Sequence, residues 1–272
     1  YSGPVFSIQR LEPKFVSTDY VDLFSQVQDF NLGTDIRAQA WVAPEILGSS
    51  GDNILISSSA SRGWSIAKNH FIRGGIAYSE RLQRGGGQDA TFSFDGRLIN
   101  VLGYRTLMGM NLGRYSSVIS LAADQGSLLD YDRQFVLGSN YGLRGYTANG
   151  FAGDGRVLFN AELRGHFIDN CLDLVDLGGA VFFDAGGASE DSLTDAFTGD
   201  IYSSVGVGLR LSTRRTNSTV IRIDIALPLR DAPDGTKKYD PHLLIGASQA
   251  FSSSLRTDLP VNKVANRSVV FN

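Results

Sequence analysis

"TVIRIDIALPL", residues 219–229, carries the reading of the fold. Ile221, Ile223, Ile225 and Leu227 fall on one side of an extended chain and Val220, Arg222, Asp224 and Ala226 on the other, because successive side chains of a strand point to opposite faces. The period recurs in "RVLFNAELRGHF" (156–167), which sets Val157, Phe159, Ala161, Leu163 and Phe167 against Asn160, Glu162, Arg164 and His166. It recurs again in "SVGVGLRLS" (204–212), with Val205, Val207, Leu209 and Leu211 opposite Gly206, Gly208, Arg210 and Ser212. A soluble sandwich alternates in the same way. Here, however, long ionic side chains (Glu162, Arg164, Arg210, Arg222, Asp224) share the polar face of neighbouring strands, where they can pair, and this suits a membrane barrel with a polar interior.

Composition agrees with an all-β chain. Among 272 residues there are 31 Gly, 16 Phe and 10 Tyr against 2 Met, 7 Pro and 19% charged residues, the usage of many short strands and turns. The net charge is −3 with Lys and Arg dispersed, which argues against nucleic acid as a partner. Cys171 is the single cysteine, so no intrachain disulfide or CxxC motif exists. No run of 18 apolar residues is present; this excludes a helical span but not a barrel, whose strands are apolar only at every second residue.

Period and turn residues predict seven strands before residue 130, at 5–16, 34–46, 53–65, 70–82, 90–101, 104–113 and 116–125. Five more follow, at 156–168, 175–186, 201–213, 218–229 and 242–251. Twelve is the even number that a single-chain outer-membrane barrel requires, with strand seven running outward into the long loop around 138–146. The barrel is expected over 1–251 and a tail over 252–272, either a periplasmic extension or a segment entering the lumen. "TDYVDLFSQV" (18–27) is expected as a helical turn in the first outer loop.

"LGSNYGLRGY" (137–146), "NAELRGHF" (160–167), "VFFDAGG" (181–187), "VGVGLRLST" (205–213) and "IRIDIALPL" (221–229), in this order, resemble the barrel of the bacterial surface antigen superfamily of BamA, TamA and FhaC. The likeness covers about 115 residues up to Phe251. It implies that Arg144, in a re-entrant extracellular loop, meets Asp184 of the F-x-D-x-G segment inside the lumen. Gly145 and Tyr146 complete the L-R-G-Y tip, and Glu162 is a candidate second acidic partner. A guanidinium offers a planar fork of donors to a carboxylate, and Gly142 and Gly145 permit a sharp turn and close approach to the wall.

The resemblance implies a bacterial outer-membrane protein and not an enzyme, acting on protein insertion or translocation, or on lipids, at the barrel seam. Its partners would be outer-membrane lipids and unfolded outer-membrane protein or lipid clients. The family captures clients through periplasmic POTRA modules; here the first strand begins by Val5, so a POTRA-less member is expected. In the seam, Pro13 of the first strand cannot donate to a ladder and Gly246 weakens the last, which ends at the aromatic Phe251. A weak edge of this kind also allows a homodimer. A passive or plugged pore is the alternative. An outer-membrane phospholipase is disfavoured, because none of His70, His166 and His242 has a serine two residues on. No GxSxG elbow, HExxH or complete GxGxxG appears, so neither a metal nor another cofactor is expected.

Overall fold

The computed structural model describes residues 1–22, 26–171, 175–213 and 220–247. Eleven strands form one antiparallel sheet in the order β1 (Val5–Leu11), β4 (Asp35–Ala43), β5 (Asn53–Ala67), β6 (His70–Gln83), β7 (Gly86–Leu107), β8 (Met110–Ser127), β11 (Gly155–Cys171), β12 (Val175–Ser189), β13 (Tyr202–Thr213), β14 (Val220–Pro228) and β15 (His242–Ala247). Two short ladders stand outside it: β2 (Phe15–Thr18) with β3 (Gln28–Asn31), and β9 (Phe135–Leu137) with β10 (Phe151–Gly153). The one α-helix among the described residues, α1 (Leu193–Thr198), begins at Ser192, whose side chain accepts from the Asp195 amide.

The register fixes which side chains share a face. Glu162 lies opposite Val118 and Phe182, Asn160 opposite Asp184, Asp184 opposite Ser204, and Gly208 opposite Asp224. These positions form the inner face, on which Asn160, Glu162, Arg164, Asp184, Arg210 and Asp224 are all buried. The outer face carries Leu163, Phe167, Val181, Val207, Ile221, Ile225 and Leu243, each at least 40% exposed. Burying such a side chain gains about 1.5–3 kcal/mol. A continuous apolar face left open by the protein therefore needs another apolar medium or partner to cover it.

The inner face is uneven. From β11 to β14 it holds a dense cluster of buried ionic side chains, whereas across the middle of β4, β5 and β6 small and neutral groups face one another, Gln39 opposite Ser57, Ser61 opposite Gly75 and Ser57 opposite Ser79, with Arg37 paired to Asp35 of its own strand.

Three expected strands between 90 and 125 are two long ones. Gly103 (φ +71) reads as a turn residue in the sequence but sits at a register irregularity, a bulge inside β7. The chain reverses at Met108 and Gly109, both at positive φ, as in a type I′ hairpin. The sheet thus has eleven strands among the described residues, not twelve, and no described pairing joins β15 to β1. Because β8, the sixth strand of the sheet, leads into the long loop, β1 starts at the loop end, where the Tyr1 hydroxyl accepts from Arg81 at 3.2 Å.

The residues expected as a helical turn in an outer loop are a third departure. The β2–β3 hairpin lies at the opposite, short-turn end, and the described part of 18–27 contains no helix. The hairpin folds onto the inner face at Gly63, where a Cβ would come within 2.9 Å of the Leu32 Cα. Val21 and Leu32 pack there against Phe71, Ile99 and Val118. Tail residues 252–272 and the end of the last expected strand, Phe251 included, lie outside the described residues.

Candidate functional site

The loop between β8 and β11 is closed at its neck by the β9–β10 ladder, with Phe151 opposite Leu137. Arg156 of β11 ties this neck to the wall, donating to the Val136 carbonyl at 3.0 Å and, through Nε, to Asp124 at 2.8 Å. Beyond the neck, residues 139–141 make a short 3-10 turn that ends at Gly142, whose φ of +97° is costly for any residue with a Cβ. The amide of Leu143 returns to the Gly138 carbonyl at 3.0 Å and that of Tyr146 to the Leu143 carbonyl at 3.3 Å, so Arg144 and Gly145 form the tip.

The tip rests on the inner face. Arg144 donates from Nε to Asp184 Oδ2 and from Nη2 to Asp184 Oδ1, both at 2.8 Å, and from Nη1 to Glu162 Oε2 at 2.8 Å. Its amide also points to Asp184 Oδ2, at 3.3 Å. Its guanidinium carbon lies 3.3 Å from the centre of the Phe182 ring, a cation–π placement within a site closed to water. Asn160 Nδ2 completes the cradle, donating to the Gly142 carbonyl at 2.7 Å and to Asp184 Oδ1 at 2.8 Å. Gly145 is required for close approach: a Cβ there would lie 2.5 Å from Ser204 Cβ, while its amide donates to Ser204 Oγ at 3.2 Å. Tyr146 hydrogen-bonds the Ser203 carbonyl at 2.9 Å and packs edge-on against Tyr202 at 5.7 Å.

Around this pair runs a wider network. Glu162 Oε1 accepts from Arg164 Nε at 2.9 Å and lies 3.4 Å from Arg210 Nη2. Asp224 accepts from Arg210 at 2.5 Å, stands 3.3 Å from Arg222 and 3.6 Å from Arg144. Arg164 then reaches out of the cluster to Asp22 Oδ1 at 2.9 Å and the Val21 carbonyl at 2.6 Å, joining the loop's site to the hairpin at the other end. A fully buried pair gains little net stability over apolar packing, but removing one member leaves an uncompensated charge that costs about 3–5 kcal/mol. The network therefore specifies one docked geometry.

Of the residues singled out in the sequence, Arg144, Gly145, Tyr146, Asp184 and Glu162 are brought together here. Pro13 and Gly246 are not. Pro13 lies two residues beyond β1, where the chain leaves the sheet, and Gly246 stands opposite Arg222 in β15. A Cβ at Gly246 would approach Arg222 Nε to 2.9 Å, so this glycine makes room for a guanidinium. Asn160, Ser204 and Asp22 complete the arrangement without having been assigned a role in it; Asn160 was legible only as a polar-face position. Among the described residues no group of His, Cys, Asp and Glu is set to hold a metal ion.

Outside the wall, Asp234 of the loop before β15 clasps the tip's far side, accepting from the Thr147 hydroxyl at 2.6 Å and its amide at 3.1 Å. Partial burial works against its charge, yet the bonds from Thr147 and Thr236 prevail and hold its carboxyl below the usual value. A depressed folded-state value means that the clasp contributes fully above the ordinary aspartate value and is lost as pH falls through the lower one. The protection of the amides at 147–150, taken relative to their intrinsic exchange rates at each pH, should accordingly stay constant through mildly acidic pH and fall only below the ordinary aspartate range, whereas Asp234→Asn should remove that pH dependence of protection.

An antiparallel sheet with an apolar outer face, an ionic inner face and a loop folded back onto that inner face defines the architecture of outer-membrane β-proteins. The chain belongs to the Omp85 superfamily, whose domain matches residues 61–251, a span that includes both the loop and its acidic partners. No curated protein matches the chain. Members of the superfamily are outer-membrane proteins of Gram-negative bacteria and are generally non-enzymatic insertion or translocation factors. Membership supports such a general role here.

Proposed function

We propose that this protein is an outer-membrane barrel that promotes insertion or translocation of other polypeptides, and that it acts at the seam between β1 and β15. The observation that carries the reading is the state of β1: all seven of its residues are exposed, on both faces, and its only described ladder partner is β4. A strand edge with free N–H and C=O groups is a template for another strand. Lipid acyl chains would cover the outer apolar face, and two copies could pair through the same edges.

A urea-unfolded eight-stranded outer-membrane protein, diluted into liposomes, is the probe. Vesicles containing this protein should fold it several-fold faster than empty vesicles. A photo-crosslinking side chain at Phe6 or Ile8 should capture it, while one at Leu121, in the middle of the sheet, should not. Equal capture from Leu121, or no acceleration, would remove the seam reading.

A further inference from the structure

The segment 19–22, Asp-Tyr-Val-Asp, is held like a ligand. Asp19 accepts from Arg114 Nη1 at 2.8 Å. The Tyr20 ring lies 4.5 Å from the Arg114 guanidinium, its hydroxyl donates to Asp169 Oδ2 at 3.2 Å, and its carbonyl accepts from His166 Nε2 at 3.2 Å. The Val21 carbonyl accepts from Arg164 at 2.6 Å, and its side chain fills a pocket of Phe71, Ile99 and Val118. Asp22 is gripped by Arg97, at 3.0 Å through Nη1 and more closely through Nη2, and by Arg164.

Both carboxylates, the phenol, two carbonyls and one aliphatic side chain thus each have a partner on β7, β8 or β11, or in the pocket these form with β6. The dependence runs the other way too: among the described residues, the salt bridges of Arg97 and Arg114 go only to this segment. The segment adds no strand to the sheet. It hangs on a hairpin of two four-residue strands, none of whose residues is fully buried. A receptor surface built into long strands, filled by an element with little structure of its own, has the character of a binding site occupied by a tethered ligand.

We propose that the inner wall of β7, β8 and β11 is a recognition site for a short, bent polypeptide segment with two carboxylates three residues apart, flanking an aromatic and an aliphatic residue, and that residues 19–22, which turn at Tyr20 (φ +58°), occupy it in cis. Tethering gives the resident segment a high effective concentration, so a free peptide meets a strong competitor in the native chain. The inference does not depend on activity at the seam, because peptide binding is scored at equilibrium without any insertion.

The test uses the full chain in detergent micelles and a fluorescent hexapeptide with the sequence of residues 17–22. The double variant Asp19→Asn/Asp22→Asn, whose own segment is weakened, should bind the peptide at least ten-fold more tightly than the native chain. A peptide carrying asparagine at both acidic positions should bind that variant at least ten-fold more weakly than the acidic one. In the native chain, saturating acidic peptide should speed amide exchange at 15–22, since one site cannot hold two occupants, and this readout needs no variant to fold. Equal binding to the native and double-variant chains, equal binding of the neutral peptide, or unchanged exchange at 15–22 would overturn the proposal.

Discussion

Arg144→Ala should release the tip of the long loop while leaving the sheet folded. Asp184 would keep only Asn160, and Glu162 would keep Arg164 and Arg210, so each carboxylate loses its nearest guanidinium inside a site closed to water. The cost of one broken buried pair, about 3–5 kcal/mol, corresponds to a rise in amide exchange at 139–147 of about two orders of magnitude or more. Asp184→Ala should act in the same direction. Because both substitutions break the same Arg144–Asp184 bonds, the double variant should lose clearly less than the sum of the two single effects. Fully additive effects in that cycle would show that the two residues do not act as partners. The loop's neck, held by β9, β10 and Arg156, should keep its protection in all three proteins.

Arg164→Met should produce the complementary result at the other end. Methionine preserves length and apolar bulk but removes the bonds to Asp22, to the Val21 carbonyl and to Glu162. A hydrogen bond to a charged group contributes about 1.5–3 kcal/mol, so exchange in the 15–22 segment should accelerate roughly a hundred-fold. Arg97 still holds Asp22, which limits the loss, and Arg144 keeps both bonds to Asp184, so the loop tip should change far less. Proteolysis or exchange mapping separates the two variants by position: 139–147 for one and 15–22 for the other. Equal loosening of both segments in Arg164→Met would mean that the interior responds as a single body.

The sequence made some parts of this structure plain and hid others. Strands β11, β12, β13 and β14 start and end within three residues of where alternation placed them, because their outward positions are mostly apolar and the charged side chains all fall on the inward side. Between 90 and 125 the alternation is interrupted by Gly103 and Gly113, which look like turns but bend continuous strands; the real reversal, at Met108 and Gly109, has little turn chemistry beyond its glycine. The β2–β3 hairpin was illegible for a different reason. What draws Asp-Tyr-Val-Asp inward is a set of arginines 75 to 142 residues away, and nothing in the local pattern announces them.

The candidate site divides in the same way. Periodicity places Glu162, Arg164, Arg210, Arg222 and Asp224 on one face, but the pairing of Arg144 with Asp184 came from family resemblance. Strand period says nothing of where a loop returns. Asn160 and Ser204 are ordinary polar positions until the tip is laid across them.

The uneven lining of the interior also has a mechanical meaning. Strands β11, β13 and β14 are cross-braced through Glu162–Arg210 and Arg210–Asp224, and β12 is tied to β11 through Arg144 of the loop. Strands β1, β4 and β5, faced largely with serine and glutamine beside the Asp35–Arg37 pair, are held to one another chiefly by their backbone ladders, with Gln9 donating to Asp35 across β1 and β4. Under strain the carboxy-terminal half would behave as a rigid post and the amino-terminal margin as the hinged leaf, so any opening between them would begin by peeling from the side of Val5 and not from that of His242.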